Sequence, residues 1–177
     1  MRHILMVVAA GLLAAAPVLA EIGKGYDTSL PIEITADSLE YQQEAQVAIF
    51  RGNVDAVQGE LNLRADQLTV HYSTNAEGEN TISLIEAVGD VFLLSPLETA
   101  QGEKGVYNVE ADTVELFGSV MLTRGENVIR GSHLIMNLAT GQSRMLGGVR
   151  GTTGGLGGSG DNGRVKALFV PSNDNSE

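Results

Sequence analysis

The chain has 177 residues, with 22 acidic against 11 basic side chains and a net charge of −11, and it contains neither cysteine nor tryptophan. A balance this negative disfavours non-specific binding to nucleic acid or to anionic membrane. The missing cysteines exclude disulfides and thiolate metal sites, and the scarcity of aromatics argues against a sugar-stacking site.

Residues 1–20 read as an export signal. Arg2 and His3 make a basic start, Ile4 to Leu19 is almost wholly apolar, and Val18-Leu19-Ala20 supplies small or permissive residues before Glu21. That order marks a secretory signal peptide, and the apolar run is shorter than the roughly 20 residues a spanning helix requires. Cleavage there leaves 157 residues with 22 acidic and 10 basic side chains. That is enough for one domain, 21–171, with its own core.

From residue 31 onward the apolar pattern has period two. Ile32, Ile34 and Ala36 alternate with Glu33, Thr35 and Asp37; Leu61 and Leu63 with Glu60, Asn62 and Arg64; Leu68 and Val70 with Gln67, Thr69 and His71. Further along, Tyr107 and Val109 alternate with Asn108 and Glu110, and Val114 and Leu116 with Thr113 and Glu115. Such alternation predicts strands with one covered face. Ser38 to Ile49 has a helix-like composition, but its place in the repeat predicts strand, turn, strand, since propensity is a weak prior. Val91-Phe92-Leu93-Leu94 is apolar on both faces, which fits a strand covered on both sides or one lining an apolar opening.

A repeat runs through these strands. Gly-x-Val occurs at Gly52, Gly89, Gly118 and Gly147, spaced 37, 29 and 29 residues. A second element contains Asp37, Asp66, Glu103 and Ser132, spaced 29, 37 and 29. From each glycine to the next second-element residue the distance is 14 in all three measurable cases, and the long intervals contain the polar insert Ser73 to Asn80. A unit of about 29 residues predicts a stack in which each unit covers its neighbour, leaving two open ends with unpaired backbone groups. The glycine-rich run 147–160 predicts a flexible loop, Arg164 to Val170 a last strand stopped by Pro171, and 172–177 a disordered polar tail.

No catalytic or metal constellation emerges. His71 and His133 are the only histidines after the signal, each placed alone on a polar strand position, and no ligand spacing for zinc or calcium appears. Gly155-Leu-Gly-Gly-Ser-Gly160 matches a dinucleotide fingerprint, but the stretch from Arg164 to Glu177 reads as a strand and a tail rather than the helix that motif needs. Repetition of Asp37, Asp66 and Glu103 at equivalent positions predicts turn hydrogen bonds and a solvated rim, not paired catalytic carboxylates. The expectation is a protein without enzymatic activity, metal or cofactor.

Pro31-Ile-Glu-Ile-Thr-Ala-Asp-Ser-Leu39, Phe50-Arg-Gly-Asn-Val54 with Gln58-Gly59, Leu63-Arg-Ala-Asp-Gln-Leu68 and Val165 to Ser172 together resemble the LptA/OstA family. The likeness runs from about Leu30 to Ser172, with the glycine-rich 147–160 run outside the family pattern. It implies an all-β fold: a twisted, partly open β-jellyroll of about sixteen antiparallel strands, working in the periplasm. It further implies an apolar groove for the acyl chains of lipopolysaccharide, LptC-like and LptD-like partners, and head-to-tail self-association. Matched onto this chain, the ligand-facing positions fall on Ile32, Ile34, Leu94, Tyr107 and Val109. The edge-strand interface falls on Ile32 and on Val165, Leu168 and Val170. Each of the ligand-facing positions is equally readable as plain core packing, and Leu61, Leu63, Val114 and Leu116 read as core alone. The alternatives are an LptC-like component that keeps its N-terminal anchor, and a structural β-solenoid with no lipid ligand.

Overall fold

Alternating apolar residues separated by glycine-containing turns give ten strands and no helix among the described residues. The computed structural model describes residues 25–74, 78–148 and 163–170. The predicted signal, most of the glycine-rich run and the tail lie outside them. The strands are β1 (Glu33–Thr35), β2 (Ser38–Gln42), β3 (Val47–Gln58), β4 (Leu61–Thr74) and β5 (Asn80–Leu94). They continue with β6 (Thr99–Asn108), β7 (Thr113–Arg124), β8 (Asn127–Asn137), β9 (Gln142–Leu146) and β10 (Lys166–Leu168). All pair antiparallel, and β3 to β8 form a meander in which each strand lies beside its neighbour in sequence.

Six long strands carry the architecture, and each is interrupted at the same level; the β4–β5 pair has a second shift, between His71 and Tyr72. The pairing register shifts between Arg51 and Val54, Arg64 and Gln67, Val88 and Val91, Gln101 and Lys104, and Phe117 and Val120. These bulges form one line across the sheet and bend every long strand, as bulges do. On one side of the line β1 and β10 are the outermost strands; on the other, β2 and β9 are. The sheet is therefore folded into two half-sheets that share their long strands. Each long strand contributes one arm to each half-sheet, so the half-sheets hold eight strand segments apiece. The expected count of about sixteen corresponds to these segments.

The repeated motifs build the bulge line. Gly52, Gly89 and Gly118 have φ of +80°, +80° and +99°, a left-handed backbone that favours glycine. Each faces the acid of the preceding element. A Cβ on Gly52 would stand 2.3 Å from Asp37 Oδ2, one on Gly89 2.2 Å from Asp66 Oδ2, and one on Gly118 2.6 Å from the Glu103 carboxyl carbon. Hydrogen bonds tie two of the acids in place: Asn53 Nδ2 donates to Asp37 Oδ2 at 2.8 Å, and the Ser119 amide and hydroxyl both donate to Glu103 Oε1 at 3.1 Å. The valine that closes each motif then turns inward, so Val54, Val91 and Val120 are all buried.

The core lies between the two half-sheets. Leu63, Leu93 and Leu122 from one face Leu68, Ile85, Leu116 and Leu134 from the other in a single cluster. Ser38 to Ile49 forms strand, turn, strand, as its place in the repeat predicts. The last strand is narrower than expected. Only Lys166–Leu168 pairs with β8, while Val165 and Val170 flank it, and the Val170 amide is held by Asn127 Oδ1 at 3.0 Å. The histidines correct another expectation, for neither stands alone. His71 Nε2 lies 2.8 Å from Glu86 Oε2, and His133 Nε2 lies 2.7 Å from Glu115 Oε2, with the His133 ring stacked on Phe117.

Candidate lipid-binding groove

The space between the half-sheets differs along the stack. At the β1 end it is nearly full. Ile32, Ala56, Leu61, Leu63, Leu93, Tyr107 and Leu138 surround a cavity of about 30 Å³. Its one polar feature is satisfied internally: the Tyr107 hydroxyl donates to Gln58 Oε1 at 3.1 Å, and Gln58 Nε2 donates to the carbonyls of Thr28 and Leu30 at 2.8 and 2.9 Å. Burial raises the Tyr107 phenol above its ordinary pKa, with the Asp112 charge adding to the rise and the bond to Gln58 opposing it. The hydroxyl is therefore a neutral donor.

At the β10 end the arms stand further apart. Leu122, Ile129, Leu134, Met145 and Phe169, together with the polar Glu98, Arg124, Asn127 and Ser143, line a groove of about 410 Å³, within the range of small-molecule sites. β7 and β8 supply its floor, β9 and the segment after β10 its walls. The mouth carries one ion pair, in which Glu98 Oε2 accepts from Arg124 Nη2 at 2.7 Å and from Nε at 3.1 Å. The Glu98 side chain is 5% exposed and that of Arg124 60%, so the carboxylate anchors the guanidinium at the surface. Chemically, the groove can take an apolar chain and leave a polar head beside a cation. No group of three or more potential metal ligands occurs among the described residues.

The residues expected to face a ligand separate into three situations. Ile32 and Tyr107 line the tight cavity, with Tyr107 only 6% exposed. Ile34 and Val109 are half-buried and packed against the core from its margin. Leu94 does not join them. It lies opposite Asn62 and Thr99, on the face away from Leu93, because successive strand residues point to opposite sides. Of the expected edge residues, Leu168 lies in β10 and is 62% exposed, Val165 and Val170 flank that strand, and Ile32 precedes β1. The groove residues Leu122, Ile129, Met145 and Phe169 were not singled out from sequence. Alternation alone marks a residue as inward-facing, and only the divergence of the arms shows where inward-facing residues line open space.

Residues 33–142 match the family described as LptA/(LptD N-terminal domain) LPS transport protein. An uncharacterized protein of Rhizobium meliloti (strain 1021) is 38% identical over 120 residues, covering 65% of this chain and 64% of its own. This chain thus spans just under two thirds of that relative's length. The lipopolysaccharide export system protein LptA of Escherichia coli (strain K12) is 29% identical over 137 residues, covering 73% of this chain and 70% of that protein. The crystal structure of LptH, the LptA homologous periplasmic component of the lipopolysaccharide transport device of Pseudomonas aeruginosa, aligns with a TM-score of 0.67 at 20% identity. It covers 82% of this chain and 99% of that one, a likeness of fold.

Proposed function

Because this chain belongs to the LptA/(LptD N-terminal domain) LPS transport protein family, we propose that it carries lipopolysaccharide across the periplasm. Residues 1–20 serve as the cleaved export signal, 21–171 as the carrier domain and 172–177 as its tail. The acyl chains lie between the half-sheets and the phosphorylated sugar head stays in water. The observation that carries this reading is the groove of about 410 Å³ at the β10 end, in which Leu122, Ile129, Leu134, Met145 and Phe169 continue the core face and a held cation stands at the border. Each methylene moved from water into such a groove contributes about 0.8 kcal/mol, so acyl chains supply ample affinity without any bond being made or broken. Ile32, Ile34, Tyr107 and Val109 extend the same face toward β1, where the arms must part by a few ångströms to admit a chain. Leu94 points away and has no part in it.

The protein bridges LptC-like and LptD-like partners by adding strands at its two open edges, and copies of it join end to end in the same way. Main-chain hydrogen bonds give affinity in such strand addition. A photo-crosslinking amino acid at Ile34, Ile129 or Phe169 is expected to label lipopolysaccharide in cells, and one at the outward Glu86 is not. Ile34→Asp is expected to weaken lipopolysaccharide binding while leaving the circular dichroism spectrum unchanged. Absence of label at all three inward positions, with no lipopolysaccharide in native mass spectra of the purified protein, would refute the groove assignment.

A further inference from the structure

The repeat places a carboxylate at three of its four glycine motifs and leaves the fourth without one. At every motif the residue after the second-element position pairs with the residue before the glycine: Ser38 with Arg51, Gln67 with Val88, Lys104 with Phe117 and His133 with Leu146. The register thus puts Ser132 where Asp37, Asp66 and Glu103 stand in the other units. Those three acids pack against Gly52, Gly89 and Gly118. Ser132 is too short to do the same. Its hydroxyl turns back to the Leu146 carbonyl at 3.4 Å, and a Cβ added at Gly148 would still stand 3.7 Å from its oxygen.

The space left open is a pocket of about 390 Å³ bordered by Gln101, Ser119, Arg130, Ser132, Gly148 and Arg164, with no acid among its lining residues. It lies on the outer face of the sheet. Arg130 stands opposite Met121 and Lys166, next to the inward Ile129, and neighbouring strand residues point to opposite sides. Both arginines are exposed, and among the described residues neither has an ion-pair or hydrogen-bond partner. In a chain of net charge −11, two such guanidinium groups at one acid-free pocket are a marked exception. The adjacent unit shows what the position accommodates, because there Glu103 Oε1 accepts from the Ser119 amide and hydroxyl. With Ser119 engaged in that way, Arg130, Arg164 and the Ser132 hydroxyl are the donors that face the pocket.

We propose that this fourth position binds a phosphoryl group, free or carried on a sugar, in place of the missing carboxylate. Guanidinium forks match phosphoryl oxygens two at a time, and a hydroxyl adds a third donor. The pocket volume falls in the range of organic ligands, so a sugar can accompany the phosphoryl group. The site is separate from the groove between the half-sheets, and its fate is independent of the acyl-chain reading.

The test titrates the full exported chain with inorganic phosphate and, separately, with glucosamine 1-phosphate, each against potassium chloride at matched ionic strength. Phosphate is expected to raise the melting temperature beyond the chloride control, as a ligand of the folded state does, and to shift the amide resonances of Ser132 and Gly148. Arg130→Gln and Arg164→Gln are each expected to weaken phosphate binding at least about tenfold, the worth of a charged hydrogen bond. Ser132→Glu restores the acid of the other units. It is expected to raise the melting temperature in phosphate-free buffer and to abolish the response to phosphate. Tighter binding of glucosamine 1-phosphate than of phosphate assigns a sugar head group as the source, and binding no tighter assigns free phosphate. A phosphate response no larger than that to chloride, or one kept in full by the Arg130→Gln/Arg164→Gln double variant or by Ser132→Glu, would overturn the site.

Discussion

Replacing Gly89 by alanine tests how the bulge line is built. The residue has φ of +80°, and its Cβ would stand 2.2 Å from Asp66 Oδ2 and 2.8 Å from Asp66 Cβ. The substitution carries two costs. Holding an L-residue in the left-handed region costs about 1–2 kcal/mol, and overpacking against a neighbour that cannot move aside costs about 1–3 kcal/mol more. The second cost cannot be relieved by rotating the Asp66 carboxylate, because the Asp66 Cβ itself is in the way. Gly89→Ala is therefore expected to destabilise the domain by about 2–5 kcal/mol, read in urea as a lower midpoint at constant slope. Adding Asp66→Gly removes the overlap but not the backbone strain. The double variant is thus expected to be less destabilised than the sum of the two single variants by about 1–3 kcal/mol. Strictly additive costs, or a Gly89→Ala protein within about 0.5 kcal/mol of the parent, which is the level of an ordinary surface change, would refute the packing of acid against glycine. The equivalent pairs, Asp37 with Gly52 and Glu103 with Gly118, are expected to behave alike.

Tyr107→Phe removes the hydroxyl that satisfies Gln58 Oε1 inside the closed end, and is expected to cost about 1–3 kcal/mol in thermal or urea unfolding. Arg124→Ala leaves the buried Glu98 carboxylate without its partner; a loss of about 1–3 kcal/mol is expected, discounted for the exposure of the arginine, and Glu98→Gln in the same chain should recover most of it. Asp27 and Glu40 titrate below their ordinary values, the first through hydrogen bonds from the Ser29 hydroxyl and amide, the second through bonds from Gln42 and Arg51 and the Arg51 charge. Depressed carboxyl pKa values mean stability that is present above the unfolded pKa and lost as pH falls through the folded one. Melting temperature should accordingly drop on acidification below about pH 4.5, near the ordinary value for glutamate, and Asp27→Asn combined with Glu40→Gln should flatten that drop.

Much of the fold could be read from residue pattern because its period is short and its punctuation chemical. The 29-residue unit is one hairpin, and the 14 residues from Gly52 to Asp66 are the distance from one crossing of the bulge line to the next. The role of the acids was legible as structural, while their partner was not. Asp66 lies 23 residues from Gly89 in sequence, and only the register brings them together. Leu94 was misplaced for a physical reason: in an apolar run such as Val91 to Leu94, hydrophobicity cannot say which face is inward, and the parity set by the buried Val91 decides it. The histidine pairs were not legible because Glu86 and Glu115 sit on neighbouring strands. The groove was not legible because no one-dimensional pattern encodes how far two arms diverge.

The bulge line also makes length and width independent quantities. Every long strand crosses it once, so the cross-section is set by how far the arms reach on either side. The length is set by the number of ranks, eight strand segments at about 4.8 Å each, or about 34 Å from the first to the last. Duplicating one hairpin would lengthen the molecule by about 10 Å at unchanged width, and deleting one would shorten it as much. Of the polar insert, Ser73 and Thr74 end β4 and Asn80 begins β5, where they pair across one hairpin, so they lengthen two strands and add no rank. The chain is in this sense a ruler, graduated in hairpins.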